Sequence, residues 1–298
     1  MKQGAMKDIF MIVIKLTVTC LVAGIIMGAA FLLTHDAKEH NEQVRDEKVM
    51  LSILGYDKAN PAPKTLALNT IYRYIVTRGE TQSIGYVLST ETGTQFVEID
   101  LEGEFLKAYP ISQDIDKLRK ESDRTNTVQA LISDGEVRYA DNFIIAVNDG
   151  KRLAYILDGK YPGFKASIRV KMALGADFSM LGFEVLEHEE DPGLGAEIEQ
   201  KWFRGQFEGK SFEQLKTTDV IKTPIPDDYR NAITGKIKGE EAQKIRSEHV
   251  GDPIHALTGA TISSRSVLNG NKAMVTKFVY RIDKLDKVLQ QQGIKTPF

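Results

Sequence analysis

The feature that most constrains this chain is an uncharged run of 18 residues near its start, Leu16 to Leu33. As a helix the run would be about 27 Å long, close to the thickness of the apolar core of a bilayer. Ile9 to Ile14 extends it past Lys15, whose long side chain can reach the interface. A cleaved signal peptide is the competing interpretation, but its apolar part is normally only about 7 to 15 residues long. We therefore predict an uncleaved membrane anchor over residues 9–34.

The orientation of this anchor is only weakly marked by charge. Basic residues flank both ends of the run: Lys2, Lys7 and Lys15 before it, and Lys38, Arg45 and Lys48 after it. A short basic N-terminus before a long apolar stretch is typical of a signal anchor. We expect residues 1–8 to be a cytoplasmic tail of an inner-membrane protein. Everything after residue 34 would then lie on the periplasmic, extracytoplasmic side.

Charge and cysteine content exclude several classes of function. The 298-residue chain has a net charge of −2, whereas a nucleic-acid surface needs a clear excess of Lys and Arg, so we expect no nucleic-acid partner. Cys20 is the only cysteine. An internal disulfide and a cysteine-rich metal or iron–sulfur site are therefore excluded.

The rest of the chain predicts an α+β fold in which strands precede a long helix. Residues 35–64 read as a helical stalk, ending near Gly55, and a proline-containing joint. Strand-like runs begin at Tyr72, Ile84 and Gln95, and a charged helical stretch follows at Asp114 to Asp123. We expect a single transmembrane helix followed by a mixed, largely antiparallel β-sheet domain with flanking helices. Its parts would be an N-terminal α+β lobe (65–150), a ligand-binding domain (151–285) and a C-terminal tail (286–298).

Two hairpins support the antiparallel arrangement. Asn142 to Val147 and Arg152 to Asp158 are joined by Asn148-Asp149-Gly150, which favours a tight turn. Further on, Ile168, Val170, Met172 and Leu174 alternate with polar residues, and Gly175-Ala176-Asp177 turns the chain into a second strand.

The second strand of that hairpin ends in a loop of unusual composition, His188-Glu-Glu-Asp-Pro-Gly-Leu-Gly195. A hard-metal site, a solvated charged turn and a ligand loop are all compatible with it, and residue types alone favour the charged turn. In the ligand loop, Gly193 and Gly195 would let main-chain amides approach a bound group closely. The third glycine of a dinucleotide motif is missing, because Ile198 stands there, so no nicotinamide site is indicated.

A second distinctive segment, His255 to Val267, places small residues before three hydroxyls and a helix. Val267, Ala273, Met274, Val275 and Phe278 give that helix an apolar face, and a serine hydroxyl is expected to cap it. A helix N-terminus offers unpaired N–H groups to a phosphate, and Gly259 and Ala260 leave room for one. A plain N-cap with small residues for packing is the alternative. The segment thus predicts either a phosphate-sized space at a helix start or an ordinary cap.

The order of an anchor, LEHEEDPGLGAEI, KWFRGQFEGK and HALTGATISSRSV resembles the FMN-binding subunits of bacterial ion-translocating redox complexes. These are the G subunit of the Rnf electron transport complex and the related C subunit of the Na⁺-translocating NADH:quinone reductase. The resemblance is strongest over residues 151–280. In that family the pattern is approximately H-x-E-T-P-G-L-G, followed later by [S/T]-G-A-T.

The resemblance implies FMN as the cofactor and assigns its contacts. Thr261 matches the threonine that carries FMN through a phosphoester bond, and no separate catalytic residue or metal ligand is implied. Residues expected around the phosphate are Thr258, Gly259, Ala260, Ser263 and Ser264, and those expected against the flavin are Glu190, Asp191, Leu194 and Gly195. Tyr161 or Phe164 is a further candidate for ring contact, although packing in the hairpin core is the simpler interpretation for both.

The chain departs from the family pattern at two positions. Asp191 replaces the usual threonine before Pro-Gly-Leu-Gly, and a carboxylate there should disfavour a negatively charged reduced flavin. His255 stands where the family usually has an acid, three residues before the Ser or Thr of its motif. That acid belongs to the pattern read by the flavin transferase that matures these proteins. The charged segment between the motifs, Ser211 to Gly251, is expected to be a surface insertion.

The resemblance implies a membrane-anchored flavoprotein that relays electrons between other membrane subunits of one complex, coupled to Na⁺ or H⁺ movement. Flavin chemistry requires no protein nucleophile or general base, and the five histidines form no catalytic triad or zinc pattern. The Rnf type is preferred over the quinone-reductase type. A non-catalytic envelope module for interaction or sensing, and a reductase acting directly on a small molecule, are the alternatives.

Overall fold

The computed structural model describes the backbone of residues 2–298, and all side chains in that range except those of residues 2–9, 32, 35–40, 42 and 43. Met1, the first residue of the predicted cytoplasmic tail, lies outside the described residues. The chain divides into two compact units, residues 1–49 and 50–298.

The N-terminal unit belongs to one long helix, α1 (Lys2–Ile53), so the predicted anchor and stalk are continuous. Within it, Phe10–Phe31 is long and apolar enough to cross a membrane, with a mean hydropathy of 2.4. The side chains of these residues are all exposed, as expected of a helix that would face lipid. Gly55, just after the helix, has a φ of 84°, which is the left-handed conformation common after helix ends.

One antiparallel sheet of eight strands dominates the second unit, in the order β4-β3-β2-β1-β5-β6-β7-β8. The strands are β1 (Ala67–Arg78), β2 (Thr81–Thr90), β3 (Gly93–Ile99), β4 (Phe105–Ile111), β5 (Glu136–Asn148), β6 (Lys151–Pro162), β7 (Ser167–Gly175) and β8 (Met180–Glu187). Both predicted hairpins are confirmed, because β5 pairs with β6 and β7 pairs with β8. Strand β4 was not predicted from the sequence. The sheet is continuous across residue 150, and the division into two lobes stays a prediction.

Helices cover both faces of the sheet. The helices after α1 are α2 (Glu121–Leu131), α3 (Lys201–Arg204), α4 (Phe212–Thr217), α5 (Asp227–Thr234), α6 (Gly239–His249) and α7 (Thr261–Gln291), with 3₁₀ turns at Ile115–Leu118 and Gly195–Glu199 and a short parallel pair, β9 (Val220–Ile221) and β10 (Ile254–His255). The charged stretch expected to be helical at Asp114–Asp123 is instead the first 3₁₀ turn and the start of α2. The predicted fold class, α+β with one N-terminal apolar helix and a largely antiparallel sheet, is confirmed.

Apolar side chains on the strands point alternately to the two faces of the sheet, so each face has a hydrophobic core. On β2 and β3, for example, Tyr86 and Val97 pack toward α7, whereas Val87 and Phe96 pack toward α2. Because successive side chains of a strand point to opposite faces, one apolar run can serve both layers. Each fully buried large apolar side chain contributes about 1.5–3 kcal/mol.

The segment 211–251 is not the surface insertion expected from its charge. It forms α4, β9, α5 and α6, and it buries Leu215, Tyr229 and Ile233. Its apolar residues are spaced so that each short helix turns one side inward, and the many charges occupy the other side.

Candidate functional site

The two distinctive sequence segments meet in one pocket of about 330 Å³ at the start of α7. Its lining consists of Phe164, Glu190, Asp191, Leu194, Gly195, Gly259, Ala260, Thr261, Ile262 and Ser263. The pocket lies within the usual range for small-molecule sites, about 300–1,000 Å³. Eight of the ten residues predicted from the sequence line it. Thr258 and Ser264 do not.

Thr261 is the first residue of α7 and is partly exposed. The first amides of a helix have no intrahelical acceptor, so those of Thr261, Ile262 and Ser263 are available to a ligand. Gly259, with a φ of 77°, turns the chain in a conformation that favours glycine. The pocket therefore combines a hydroxyl, free amides and the positive end of a 31-residue helix.

The predicted serine cap is wrong. The residue before the helix is Ala260, and no side chain caps it. Ser264 is fully buried, accepts a hydrogen bond from the amide of Leu257 (3.0 Å) and donates to the carbonyl of Ala260 (3.0 Å). Its hydroxyl thus fixes the segment that leads into the helix and leaves the first amides unoccupied.

Glu190 joins three segments around the pocket. It is 4% exposed, and its Oε1 accepts hydrogen bonds from the amides of Phe164 (2.7 Å) and Lys165 (3.3 Å). Its Oε2 accepts a short hydrogen bond from the hydroxyl of Ser263. Gly195 is required beside this carboxylate, because a Cβ there would lie 2.7 Å from Oε2.

His188 holds the loop that carries Glu190. Its Nδ1 accepts from the amide of Glu190 (3.1 Å), so the ring proton lies on Nε2, which donates to Glu199 (3.0 Å). One ring nitrogen is thus used within the loop, and the other is used by the 3₁₀ turn that follows it. Among the residues that the structure describes, no group of three or more His, Cys, Asp or Glu side chains is placed to hold a metal ion.

Asp191, which lines the pocket, is paired with Lys165. The pair is partly exposed, and the lysine offsets the charge that was expected to oppose an anionic ligand. A neighbouring basic side chain was not part of the sequence pattern, because Lys165 lies on a different loop, 26 residues away.

Three exposed apolar side chains rim the pocket: Phe164 (56% exposed), Leu194 (46%) and Ile262 (58%). Of the two aromatic candidates, Phe164 lines the pocket, whereas Tyr161 is buried and donates from its hydroxyl to Asn271 (3.1 Å). Ile262 was missed by the sequence reasoning. Its only signal was an apolar residue between two hydroxyl residues in the first turn of the helix.

His255 lies in β10 and does not line the pocket. It is 6% exposed, its Nδ1 is 2.8 Å from the carbonyl of Thr223, and its backbone is held by Gln206. The imidazole can donate to that carbonyl, whereas an ionised carboxylate in the same place would face an acceptor. The unusual histidine is therefore matched to the 211–251 segment of this chain.

Comparisons with known proteins match the part of the chain that builds this pocket. Residues 163–276 match the family of the FMN-binding domain. The chain is 28% identical over 156 residues to the G subunit of the proton-translocating ferredoxin:NAD(+) oxidoreductase complex of Clostridium ljungdahlii, which covers 51% of this chain and 70% of that protein. It is 31% identical over 132 residues to the G subunit of the ion-translocating oxidoreductase complex of Salmonella typhi, covering 43% of this chain and 52% of that protein. The chain thus spans between 52% and 70% of the length of these relatives.

A crystal structure of Shewanella oneidensis NqrC is also similar, at 20% identity and a TM-score of 0.34, covering 47% of this chain and 56% of that one. At that level the likeness carries no argument about the site. The resemblance inferred from the motifs, and FMN as the cofactor it implies, are confirmed by the family match and by the relatives from ion-translocating complexes.

Proposed function

Because residues 163–276 match the family of the FMN-binding domain, we propose that the chain carries FMN as a phosphoester on Thr261 and relays electrons within an ion-translocating oxidoreductase complex. The observation that carries this proposal is the position of Thr261, a partly exposed hydroxyl on the first residue of a long helix, inside the pocket built by both family motifs.

The residues present fit the phosphate end of FMN. Free amides at the start of α7 and the helix dipole favour an anion, and Gly259 and Ala260 leave the approach to Thr261 open. Thr258 is exposed beside this turn, and Ser263 is held by Glu190. Glu190 acts by fixing the pocket, since both of its oxygens accept hydrogen bonds from the protein.

The apolar side chains that rim the pocket fit the ring system of FMN. Phe164, Leu194 and Ile262 offer apolar surface to an aromatic group, and exposed apolar side chains around a site gain most when a ligand or a partner covers them. When bound, FMN supplies the redox chemistry, and the protein's part is to hold and orient it and to exclude side reactions.

The candidate anchor and the relatives support an assembly at a membrane. Phe10–Phe31 would hold the domain at the inner membrane, with residues 35–298 on the extracytoplasmic side, and other membrane subunits of the same complex would exchange electrons with the flavin. The coupling ion would be Na⁺ or H⁺. A flavin transferase would be needed to attach FMN.

The test is covalent flavin in the denatured protein. The chain is produced in a host with a flavin transferase, denatured and separated on a gel, and the band is inspected for flavin fluorescence. We expect fluorescence in the unaltered chain and in Ser266→Ala, which removes a hydroxyl of α7 outside the pocket, and none in Thr261→Ala. Fluorescence that persists in Thr261→Ala would place the attachment elsewhere.

Electron relay is tested separately in the assembled complex. We expect Thr261→Ala to stop electron transfer while the complex still assembles, which separates a redox role from an interaction or sensing module. Unchanged electron transfer without bound flavin would contradict the relay.

A further inference from the structure

A second, larger pocket of about 510 Å³ lies along the same helix, at a distance from the Thr261 pocket. It is bounded by α7 at Met274 to Arg281 and by strands β1, β5, β6 and β7. Lys277, on its rim, is sixteen residues beyond Thr261, about 24 Å along the helix axis. The two pockets have no lining residue in common.

Positive charge dominates the lining of this second pocket. Its cationic side chains are Arg73, Lys160, Arg169, Lys277 and Arg281, and its carboxylates are Asp141 and Asp158. Both carboxylates are already paired: Asp158 accepts from the buried Lys171 (2.8 Å), and Asp141 is shared by two arginines. Arg169 pairs with Glu187, outside the lining (2.9 Å). That leaves one carboxylate, Asp141, for the four remaining cationic groups, Arg73, Arg281, Lys160 and Lys277.

The arginine pair shows this excess most directly. Arg73 Nε donates to Asp141 Oδ1 (2.8 Å), and Arg281 Nη1 approaches Asp141 Oδ2 at 3.3 Å. One carboxylate thus serves two guanidinium groups. Burial, together with the charge of Arg73, lowers the pKa of Arg281 below its usual value, as expected of a cation with too little counter-charge.

Lys160 and Lys277 add charge at the rim. Both side chains are exposed, and neither forms an ion pair with any carboxylate that the structure describes. Phosphate and carboxylate groups are the anions that Arg and Lys bind best through charge-assisted hydrogen bonds.

The wall behind these charges is apolar and aromatic. It is formed by Phe143, Leu157, Met274 and Phe278, with Tyr139 at the edge. Phe143 and Phe278 pack edge to face, with ring centroids 5.2 Å apart, so the wall is a fixed part of the core. A pocket with an apolar wall and a few convergent polar groups is the usual form of a small-molecule site.

We propose that this pocket binds a small organic anion, an aromatic phosphate or carboxylate whose ring lies against Phe143, Met274 and Phe278 while its charged group is bound by Arg281, Lys277 and Lys160. This site is independent of FMN at Thr261. It gives the chain a second, reversible ligand on the helix that begins at the flavin pocket.

The test uses adenosine 5′-monophosphate and 1-naphthyl phosphate as probes, titrated into the full chain by isothermal calorimetry. Adenosine supplies a ring without the anion, and inorganic phosphate supplies the anion without a ring. We expect both probes to bind more tightly than adenosine and than inorganic phosphate. Saturable binding by neither probe, or equally tight binding of inorganic phosphate alone, would overturn the proposal.

The location of the bound probe is tested with two double variants that have the same net charge. Lys160→Gln with Lys277→Gln removes two rim charges and should weaken binding of both probes by about tenfold, the effect of losing charge-assisted hydrogen bonds. The control, Lys287→Gln with Lys295→Gln, removes two exposed lysines outside the pocket and should leave affinity unchanged. Equal weakening in both double variants would show a general charge effect and overturn the site.

A final measurement distinguishes binding in this pocket from binding in the Thr261 pocket. Affinity for adenosine 5′-monophosphate should be the same in the flavin-bearing chain and in Thr261→Ala. Tighter binding in Thr261→Ala would show that the probe enters the Thr261 pocket, which would overturn the second site and leave the proposed role of Thr261 untouched.

Discussion

The two pockets along α7 differ in how far their charged side chains are paired within the protein. Around Thr261 the side-chain charges are already satisfied within the protein, by the Glu190–Ser263 hydrogen bond and the Asp191–Lys165 pair, so a ligand would meet free backbone amides and one hydroxyl. Around Arg281 the cationic side chains outnumber the carboxylates. The first pocket therefore offers an anion mainly backbone amides, and the second offers it mainly cationic side chains.

The largest expected effect comes from removing the carboxylate that organises the first pocket. Glu190→Ala would leave two amides and the Ser263 hydroxyl without their acceptor in a buried position, at a cost of about 3 kcal/mol in the free energy of unfolding. Chemical denaturation measures this cost, and flavin fluorescence of the denatured band should fall with it. Affinity for adenosine 5′-monophosphate in the second pocket should not change.

The matched control is Glu189→Ala, which removes the neighbouring exposed carboxylate and should alter stability by less than about 0.5 kcal/mol. If Glu189→Ala were equally damaging, or if Glu190→Ala weakened nucleotide binding as much as flavin attachment, the two pockets would not be separate units.

A smaller effect is expected in the stretch of α7 between the residues that line the two pockets. Gly270 of α7 faces the ring of Tyr161, and a Cβ would lie 2.3 Å from ring carbons. Alanine in a helix is normally more favourable than glycine by about 1 kcal/mol, but overpacking a filled core costs about 1–3 kcal/mol. Gly270→Ala should therefore lower the free energy of unfolding, by up to about 2 kcal/mol.

Asn269→Ala provides the comparison for that variant, because residue 269 is the exposed neighbour on the same helix. It should leave stability unchanged or raise it slightly, by up to about 0.7 kcal/mol. Thermal unfolding of the two variants side by side measures the difference, and a stabilised Gly270→Ala would show that Tyr161 moves aside at little cost.

A pH-dependent effect concerns a buried cation, in contrast with the exposed lysines of the second pocket. Lys210 is 1% exposed and donates to the carbonyls of Val250 (2.7 Å) and Asp252 (2.6 Å), in the segment that leads to the Thr261 motif. Burial lowers its pKa to about 8, partly opposed by Asp252. Above pH 8 the folded protein therefore loses this proton while the unfolded chain keeps it.

Stability due to Lys210 should consequently rise with pH, by about 1.4 kcal/mol per pH unit between pH 8 and the ordinary lysine pKa near 10.4. The measurement is the difference in unfolding free energy between the unaltered chain and Lys210→Met across that range, which cancels titration of the tyrosines. A difference that does not vary with pH would mean that the ammonium is solvated in the folded state.

Much of the fold was predictable because its signals are local. The 18-residue uncharged run gave the helix at Phe10–Phe31, and the turn residues at Asn148-Asp149-Gly150 gave the β5–β6 hairpin. Strand β4 was missed because its side chains are mostly exposed or half-buried and follow no apolar alternation. The 211–251 segment was misjudged because its charges outnumber the few apolar residues that it buries.

The sequence by itself predicted most of the residues that line the first pocket: Thr261, the small residues before it and the glycine loop that contains Glu190. Only the tertiary structure decided how they act, because Glu190 and Ser263 are 73 residues apart in the chain and meet through the packing of α7 on the sheet. The same packing places Arg281 against Asp141, 140 residues away, and leaves two arginines on one carboxylate. Such balances of charge depend on distances between segments, which no local pattern in the sequence records.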